Sequence, residues 1–248
     1  MTLLPKLARR LQILAYIIEK PKLLALVLQG GSVNKFISLD QPWLHELKIE
    51  TVLDIGAHAG ISAVTIHSLF PKAQIYSFEP LPICFQQLQM RMAGVNNFKG
   101  FNIALGDCLS NLPLDCNSFT PSSSFLKMTD LHKTEFPYTR HSQPLSVKVE
   151  RLDTIAEQIP IIDPLWIKID VQGYEEKVLR GGEKTIQRAK LIIVETSFKK
   201  LYEGQPLFDN IYNHLIKLGF DYFGSLDQLR SRKNGQVLQE DSIFMKNA

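Results

Sequence analysis

Thr51-Val52-Leu53-Asp54-Ile55-Gly56-Ala57-His58-Ala59-Gly60-Ile61-Ser62 is the stretch on which the reading of this chain turns. Val52 and Leu53, apolar and strand-prone, deliver an acidic residue, Asp54. Two glycines follow, and a helical pattern opens at Ile61. Buried strand, glycine-bearing turn and helix N-terminus, in that order, build a nucleotide-type pocket at the carboxyl end of a parallel strand. Glycine serves there because the backbone must turn sharply and approach a ligand closely. The dinucleotide fingerprint Gly-x-Gly-x-x-Gly, counted from Gly56, puts its second and third glycines at His58 and Ile61, which weakens a pyrophosphate reading.

The next strand carries the second acidic residue. Gln74 to Phe78 is a compact β run ending in Glu79-Pro80. A carboxylate about 20–25 residues after the first turn is where a Rossmann-like fold grips the two ribose hydroxyls of its ligand. Its charge makes those hydrogen bonds stronger than neutral ones, and Pro80 ends the strand because it has no N–H to extend the ladder.

The chain has 248 residues, 45% hydrophobic and 21% charged, with a formal net charge of +3. That suffices for one sizeable α/β domain with an appended N-terminal element, here residues 1–48 preceding a ligand-binding domain over 49–248. The charge is far from the dense basic surface of a nucleic-acid binder, and no Asn/Asp-Pro-Pro-aromatic segment occurs. Cys84, Cys108 and Cys116 are odd in number, with no C-x-x-C pair and no zinc-like spacing, so they read as structural thiols in a reduced, cytoplasmic compartment. No stretch is long and apolar enough to span a bilayer, because charged residues from Lys6 to Lys22 interrupt the best candidate. Leu3, Leu7, Leu11, Leu14 and Ile18 recur at helical spacing beside Lys6, Arg9 and Arg10. Such a helix packs on its own domain, pairs two subunits as a homodimer, or lies on an anionic membrane surface. No small-residue cleavage site marks it as a signal peptide.

Strand and helix patterns alternate, which predicts a doubly wound, mostly parallel sheet covered on both faces. Expected strands are 51–55, 74–78, 98–104, 165–170 and 190–195, with an antiparallel C-terminal edge from 221–224 and 242–246. Expected helices cover 61–69, 82–93, 174–189 and 207–218. Residues 108–144, with four prolines and the run Ser122-Ser123-Ser124, read as a long irregular loop forming a substrate-side lid or wall. In Trp166-Ile-Lys168-Ile-Asp170, period-two alternation sends Lys168 and Asp170 to one side and Ile167 and Ile169 to the other. Asp170 ends its strand at the ligand-binding edge and reads as functional. Lys168 reads as the buried half of an ion pair with Asp170 or Glu195, because an unpaired buried charge is costly.

Taken together, Asp54-Ile-Gly-Ala-His-Ala-Gly60, Phe78-Glu-Pro80, Ala104-Leu-Gly-Asp107, Arg151-Leu-Asp-Thr-Ile155, Lys168-Ile-Asp-Val-Gln-Gly-Tyr-Glu175, Val178-Leu-Arg-Gly-Gly182 and Ile193-Val-Glu195 occur in an order that resembles the FkbM family of S-adenosylmethionine-dependent methyltransferases. The resemblance covers about residues 50 to 246 and implies a class I methyltransferase fold. It implies O-methylation of a hydroxyl on a sugar, glycan or natural-product acceptor, with S-adenosylmethionine as cofactor. The implied cofactor contacts are Asp54, Gly56, Ala57, His58, Gly60 and Ile61 of the first turn, Glu79 and Pro80 at the ribose, Ala104 and Leu105 on the adenine side, and Asp170. Asp170 is the first choice of base for the acceptor hydroxyl, Glu195 a second base or orienting group. Ser123 and Ser124 are expected to meet substrate hydroxyls. Where the family usually has Asn this chain has His58, and where it usually has Glu this chain has Gln172, so no metal is assigned. Two other readings stand beside this one. An NAD(P)-dependent oxidoreductase shares the acidic residue after the second strand, but has the wrong glycine spacing here and no following Tyr-x-x-x-Lys pair. A methyltransferase-like scaffold that has lost its reaction is the non-enzymatic alternative.

Overall fold

Apolar residues alternate between the two faces of the central strands, and that alternation sets the layers of the fold. In the computed structural model, which describes residues 15–20, 22–139 and 141–246, a seven-stranded sheet has the order β3-β2-β1-β7-β8-β10-β9. The strands are β1 Thr51–Ile55, β2 Gln74–Phe78, β3 Phe98–Phe101, β7 Leu165–Ile169, β8 Ala189–Ser197, β9 Phe220–Arg230 and β10 Val237–Lys246. β3, β2, β1, β7 and β8 run parallel, whereas β10 pairs antiparallel with both β8 and β9. Val52, Ile75, Trp166 and Ile193 join one core with the helices Lys22–Leu28, Val33–Leu39 and Ile61–Leu69. Leu53, Tyr76, Ile167 and Ile192 join a second core with the helices Glu175–Gly181, Glu183–Arg188 and Phe208–Lys217. Burying each such side chain contributes about 1.5–3 kcal/mol relative to exposure. This is the doubly wound α/β fold expected from the sequence, with its antiparallel C-terminal edge.

Three departures from the sequence-based expectation bear on the site. The segment expected to be irregular contains a strand, β5 Ser110–Asn117, which pairs antiparallel with β6 Ser142–Arg151. The expected strand 98–104 is two strands, because β4 Ala104–Gly106 leaves the main sheet and pairs parallel with β6 in a second, three-stranded sheet. The expected helix 174–189 is two helices broken at Gly181-Gly182. A Cβ on Gly181 would stand 1.8 Å from the Gly106 carbonyl oxygen, so only glycine permits that approach to β4.

Of the amphipathic N-terminal pattern, Leu3, Leu7, Leu11 and Leu14 lie outside the described residues, and Ile18 is exposed. No helix among the described residues is long and apolar enough to cross a membrane.

Candidate active site

Three parallel strands, β1, β2 and β7, end together, and the turns that leave them form the edge of a cleft of about 250 Å³. Gly56, Ala57, His58 and Ile61 from the first turn line it, with Glu79 and Pro80 after β2 and Asp170 and Gln172 after β7. Ala104 and Leu105 of β4 give it an apolar side, and Ser123, Ser124 and Phe125 of the 108–144 segment close it as a wall. Gly56 has φ +78°, and a Cβ there would stand 1.8 Å from the Asp170 carbonyl oxygen. The glycine therefore lets the first turn lie against the Asp170 turn.

Two expected contacts do not reach this cleft. Asp54 is fully buried beneath the turn, opposite Lys168 in the β1–β7 register, with its Oδ1 3.4 Å from Lys168 Nζ. Gly60 faces the helix Pro82–Arg91, where a Cβ would stand 2.8 Å from Leu88 Cδ1. Its role in the structure is helix packing. Glu195 also stays off the cleft, behind Gln172.

Glu79 is 5% exposed, and each carboxylate oxygen accepts one backbone N–H, from His58 (2.8 Å) and Leu81 (2.8 Å). Burial, with the Asp54 and Asp170 charges nearby, pushes its pKa up to about 7 against the pull of those two hydrogen bonds. His58 takes a left-handed φ of 49°, and its Nε2 lies 2.7 Å from Thr120 Oγ1. The imidazole thus ties the first turn to the wall, and burial lowers its pKa, favouring the neutral ring.

The Lys168 ammonium lies 3.5 Å from Asp170 Oδ2 as well as 3.4 Å from Asp54, so both partners are acidic residues of the parallel strand ends. Burial alone would lower the Lys168 pKa, but Asp170 and Asp54 more than offset it and keep the ammonium charged. Burial likewise works to raise the Asp170 pKa. Lys168, Lys35 and a hydrogen bond from Gln172 overcome it and hold the carboxyl below its usual range. The sequence-based pairing of Lys168 with Asp170 therefore stands, and Asp54 takes the place that Glu195 was offered.

Gln172 organises the rest. Its Nε2 donates to Asp170 Oδ1 (3.0 Å) and Glu195 Oε2 (3.0 Å), while its Oε1 accepts from Tyr202 Oη (2.9 Å). With a hydroxyl on one side and two carboxylates on the other, the amide has one satisfied orientation. Gln172 has φ 54°, a left-handed backbone that costs about 1–3 kcal/mol in a non-glycine residue and tends to occur where function fixes it. Glu175 holds that strained turn by accepting the backbone N–H groups of Val171 (3.1 Å) and Gly173 (3.0 Å). Gln239 Nε2 also donates to Glu195 Oε2 (2.8 Å), and burial beside the Asp170 charge raises the Glu195 pKa well above the ordinary carboxylate range. The arrangement pairs a carboxyl held below its usual range on the cleft with one pushed well above it behind.

The hydroxyls expected to meet substrate are engaged within the wall. Ser123 Oγ accepts from the Asn117 N–H (2.9 Å), and Ser124 Oγ donates to the Gln172 carbonyl (2.6 Å). Lys35, Thr120, Leu114 and Phe125 also line the cleft, and no spacing in the sequence marks them. Tyr202 is equally silent in sequence, since its partner Gln172 is 30 residues away. Among the described residues, no group of three or more His, Cys, Asp or Glu side chains is placed to hold a metal ion.

A family model described as the methyltransferase FkbM domain matches residues 54–222, more than half of the chain. The 2-O-methyltransferase NoeI of Sinorhizobium fredii (strain NBRC 101917 / NGR234) is 31% identical over 163 residues, 62% of this chain and 66% of that protein. Methyltransferase sdnD of Sordaria araneosa is 25% identical over 194 residues, 68% of this chain and 73% of that protein. The hexuronic acid methyltransferase AglP of Haloferax volcanii is 30% identical over 153 residues, 61% of this chain and 58% of that protein. The chain thus spans just under two thirds of NoeI and less of AglP.

Proposed function

Because the chain belongs to the FkbM methyltransferase family, we propose that it transfers the methyl group of S-adenosylmethionine to a hydroxyl of a sugar, glycan or natural-product acceptor. The observation that carries this reading is that Glu79 and Asp170, at the ends of two strands of one parallel sheet, line a single cleft.

The residues present fit an adenosyl ligand. Each Glu79 oxygen uses one backbone N–H, and a carboxylate has about four acceptor sites, so both oxygens keep capacity for a ribose diol. Ala104, Leu105 and Leu114 offer an apolar side to adenine, and Gly56 and Ala57 present backbone to the amino-acid end. His58 and Pro80 complete that wall. Asp54 acts from beneath, holding Lys168 charged, and so sets the ionisation of Asp170.

S-adenosylmethionine bound here supplies an electrophilic methyl group on a sulfonium. The protein's share is to align an acceptor oxygen, exclude water and take one proton. Positioning of this kind supplies several kcal/mol. Asp170, ionised and on the cleft, is the proton acceptor, and Glu195 orients it through the Gln172 amide. Ser123 and Ser124 shape the acceptor side through the wall.

Glu195 lies off the cleft and burial pushes its pKa well above the ordinary carboxylate range, so Glu195→Gln replaces it with a near-isostere that can still accept the hydrogen bonds of Gln172 and Gln239. The expected result is a kcat within about threefold of wild type, since no proton moves through it. A loss of a hundredfold would restore Glu195 as a second base.

The reading itself is tested by thermal shift with S-adenosylhomocysteine and NADH, followed by labelled methyl transfer to a panel of hydroxylated glycans. S-adenosylhomocysteine is expected to raise the Tm and NADH to leave it unchanged. Stabilisation by NADH alone would favour the oxidoreductase instead. Cofactor binding without transfer to any acceptor would favour the scaffold.

A further inference from the structure

The wall segment carries a run of rings that begins behind Gln172 and ends in solvent. Tyr202, fully buried and donating to Gln172, packs edge-on against His132 at a centroid distance of 5.0 Å. His132 meets Phe136 at 5.2 Å, and Phe136 meets Tyr138 at 6.3 Å. Tyr138 in turn meets Phe119 at 5.1 Å, with the two planes at 86°. Phe119 precedes Thr120, which lines the cleft and is joined to His58. Both ends of the run therefore adjoin cleft-lining residues, Gln172 at the buried end and Thr120 at the other.

The outer end is open. Phe119 is 44% exposed and Tyr138 50%. Pro121, two residues after Phe119, is exposed and also lines the cleft, so the surface and the cleft are continuous at that residue. Single apolar side chains in solvent are ordinary, whereas an aromatic pair continuous with a cleft marks a binding surface. The pair is also held in place. The buried Asn117 side chain accepts the Phe119 N–H (2.8 Å) and donates to the Thr139 carbonyl, so one amide fixes the backbone beside both rings. A ligand that lies on these rings does not have to order them first, which lowers the cost of binding.

Chemistry narrows the ligand. From Asn117 to Leu126 the wall carries no charged side chain, so its rim offers ring faces and hydroxyls. Aromatic faces are negative and the C–H bonds on one face of a pyranose are weakly positive, so the two stack while the sugar hydroxyls stay in water. Contacts from the rim to the Asp170 turn run through Thr120 and His58, so the ring that stacks is not the ring that reacts. We propose that Phe119 and Tyr138 form an acceptor subsite that stacks one pyranose ring of a glycan, while a neighbouring unit carries its hydroxyl past Pro121 to Asp170. The proposal rests on the O-methyl-transfer reading above and adds the acceptor class, a glycan of at least two units, and the surface that holds it.

The test is saturation-transfer NMR on the full chain loaded with S-adenosylhomocysteine, with the aromatic protons of the protein irradiated selectively. The probes are cellobiose, maltose and N,N′-diacetylchitobiose, which have no aromatic protons of their own. At least one is expected to bind, with the C–H protons of one ring face saturated most strongly. Phe119→Ala and Tyr138→Ala are each expected to weaken that binding about tenfold, and the double variant to abolish the signal. Tyr138→Phe, which keeps the ring, should bind as wild type does, and Phe223→Ala, which removes an exposed ring on β9, should change nothing. All the variants should keep wild-type affinity for S-adenosylhomocysteine by calorimetry. No probe bound by the wild type, saturation that survives in the double variant, or an equal loss in Phe223→Ala would each overturn the proposal. So would a wild-type dimer, measured by light scattering, that the double variant returns to monomer, because the rim would then be an interface between copies. A wild type that stacks the sugar but does not bind S-adenosylhomocysteine would leave the rim standing and overturn the methyl-transfer reading instead.

Discussion

Asp170→Asn is expected to lower kcat for methyl transfer by about 10²–10⁴, the usual contribution of a positioned proton acceptor. Asn occupies the same space and can still accept the Gln172 hydrogen bond, so S-adenosylhomocysteine affinity should stay within about threefold. What it cannot do is hold a proton. A depressed pKa makes Asp170 a weak base, and it would be a poor one for removing a proton from a resting alcohol. The acidity of the acceptor oxygen rises steeply, however, as it bonds to the methyl carbon. A carboxylate held ionised by Lys168 and Lys35 suffices once proton transfer follows C–O bond formation. Single-turnover transfer with labelled cofactor measures the step directly. Unchanged turnover with a raised KM for the cofactor would make Asp170 a binding residue and remove it from the chemistry.

The central sheet was legible because its strands obey simple rules. β1, β2 and β7 are buried on both faces, read as near-continuous apolar runs and end in Asp54-Ile-Gly56, Glu79-Pro80 and Asp170. The second sheet was not legible, and the cause is proline. Pro113 sits in β5, an edge strand, and Pro144 in the part of β6 flanked by β5 alone. Proline is tolerated there because those N–H positions need no ladder partner on both sides, yet it erases the alternation by which strands are recognised. Within the site, spacing identified groups that strand ends deliver, such as Glu79 and Asp170. It marked Asp54 and Gly60, which support the first turn and do not line the cleft, because a motif does not distinguish a residue that lines a turn from one that supports it. It offered Glu195 as a second base or an orienting group, and strand position alone cannot show that Gln172 stands between it and Asp170. Lys35 and Tyr202 reach the site from other elements, through contacts that no local pattern encodes.

Glu79→Gln is expected to weaken S-adenosylhomocysteine binding at pH 8 by about 1.5–3 kcal/mol, roughly 10- to 150-fold, the worth of hydrogen bonds to a charged group. The same side chain predicts how wild-type affinity depends on pH. Its pKa is pushed up to about 7, chiefly by burial and then by the Asp54 and Asp170 charges, so near neutrality the free protein holds this carboxyl about half protonated. A ribose diol donates two hydrogen bonds and is best received by the ionised form, so binding must first release that proton. Below about pH 7 each further unit of acidification costs about 1.4 kcal/mol, or tenfold in Kd, and well above pH 7 the affinity levels off. Calorimetry at pH 6, 7 and 8 should therefore show Kd tightening about tenfold across the range in wild type and remaining flat in Glu79→Gln. Buffers of different ionisation enthalpy should reveal up to one proton released per cofactor bound below pH 7. A wild-type Kd that does not change from pH 6 to 8, or that tightens on acidification, would mean that the ionised Glu79 carboxylate is not the group that holds the ribose.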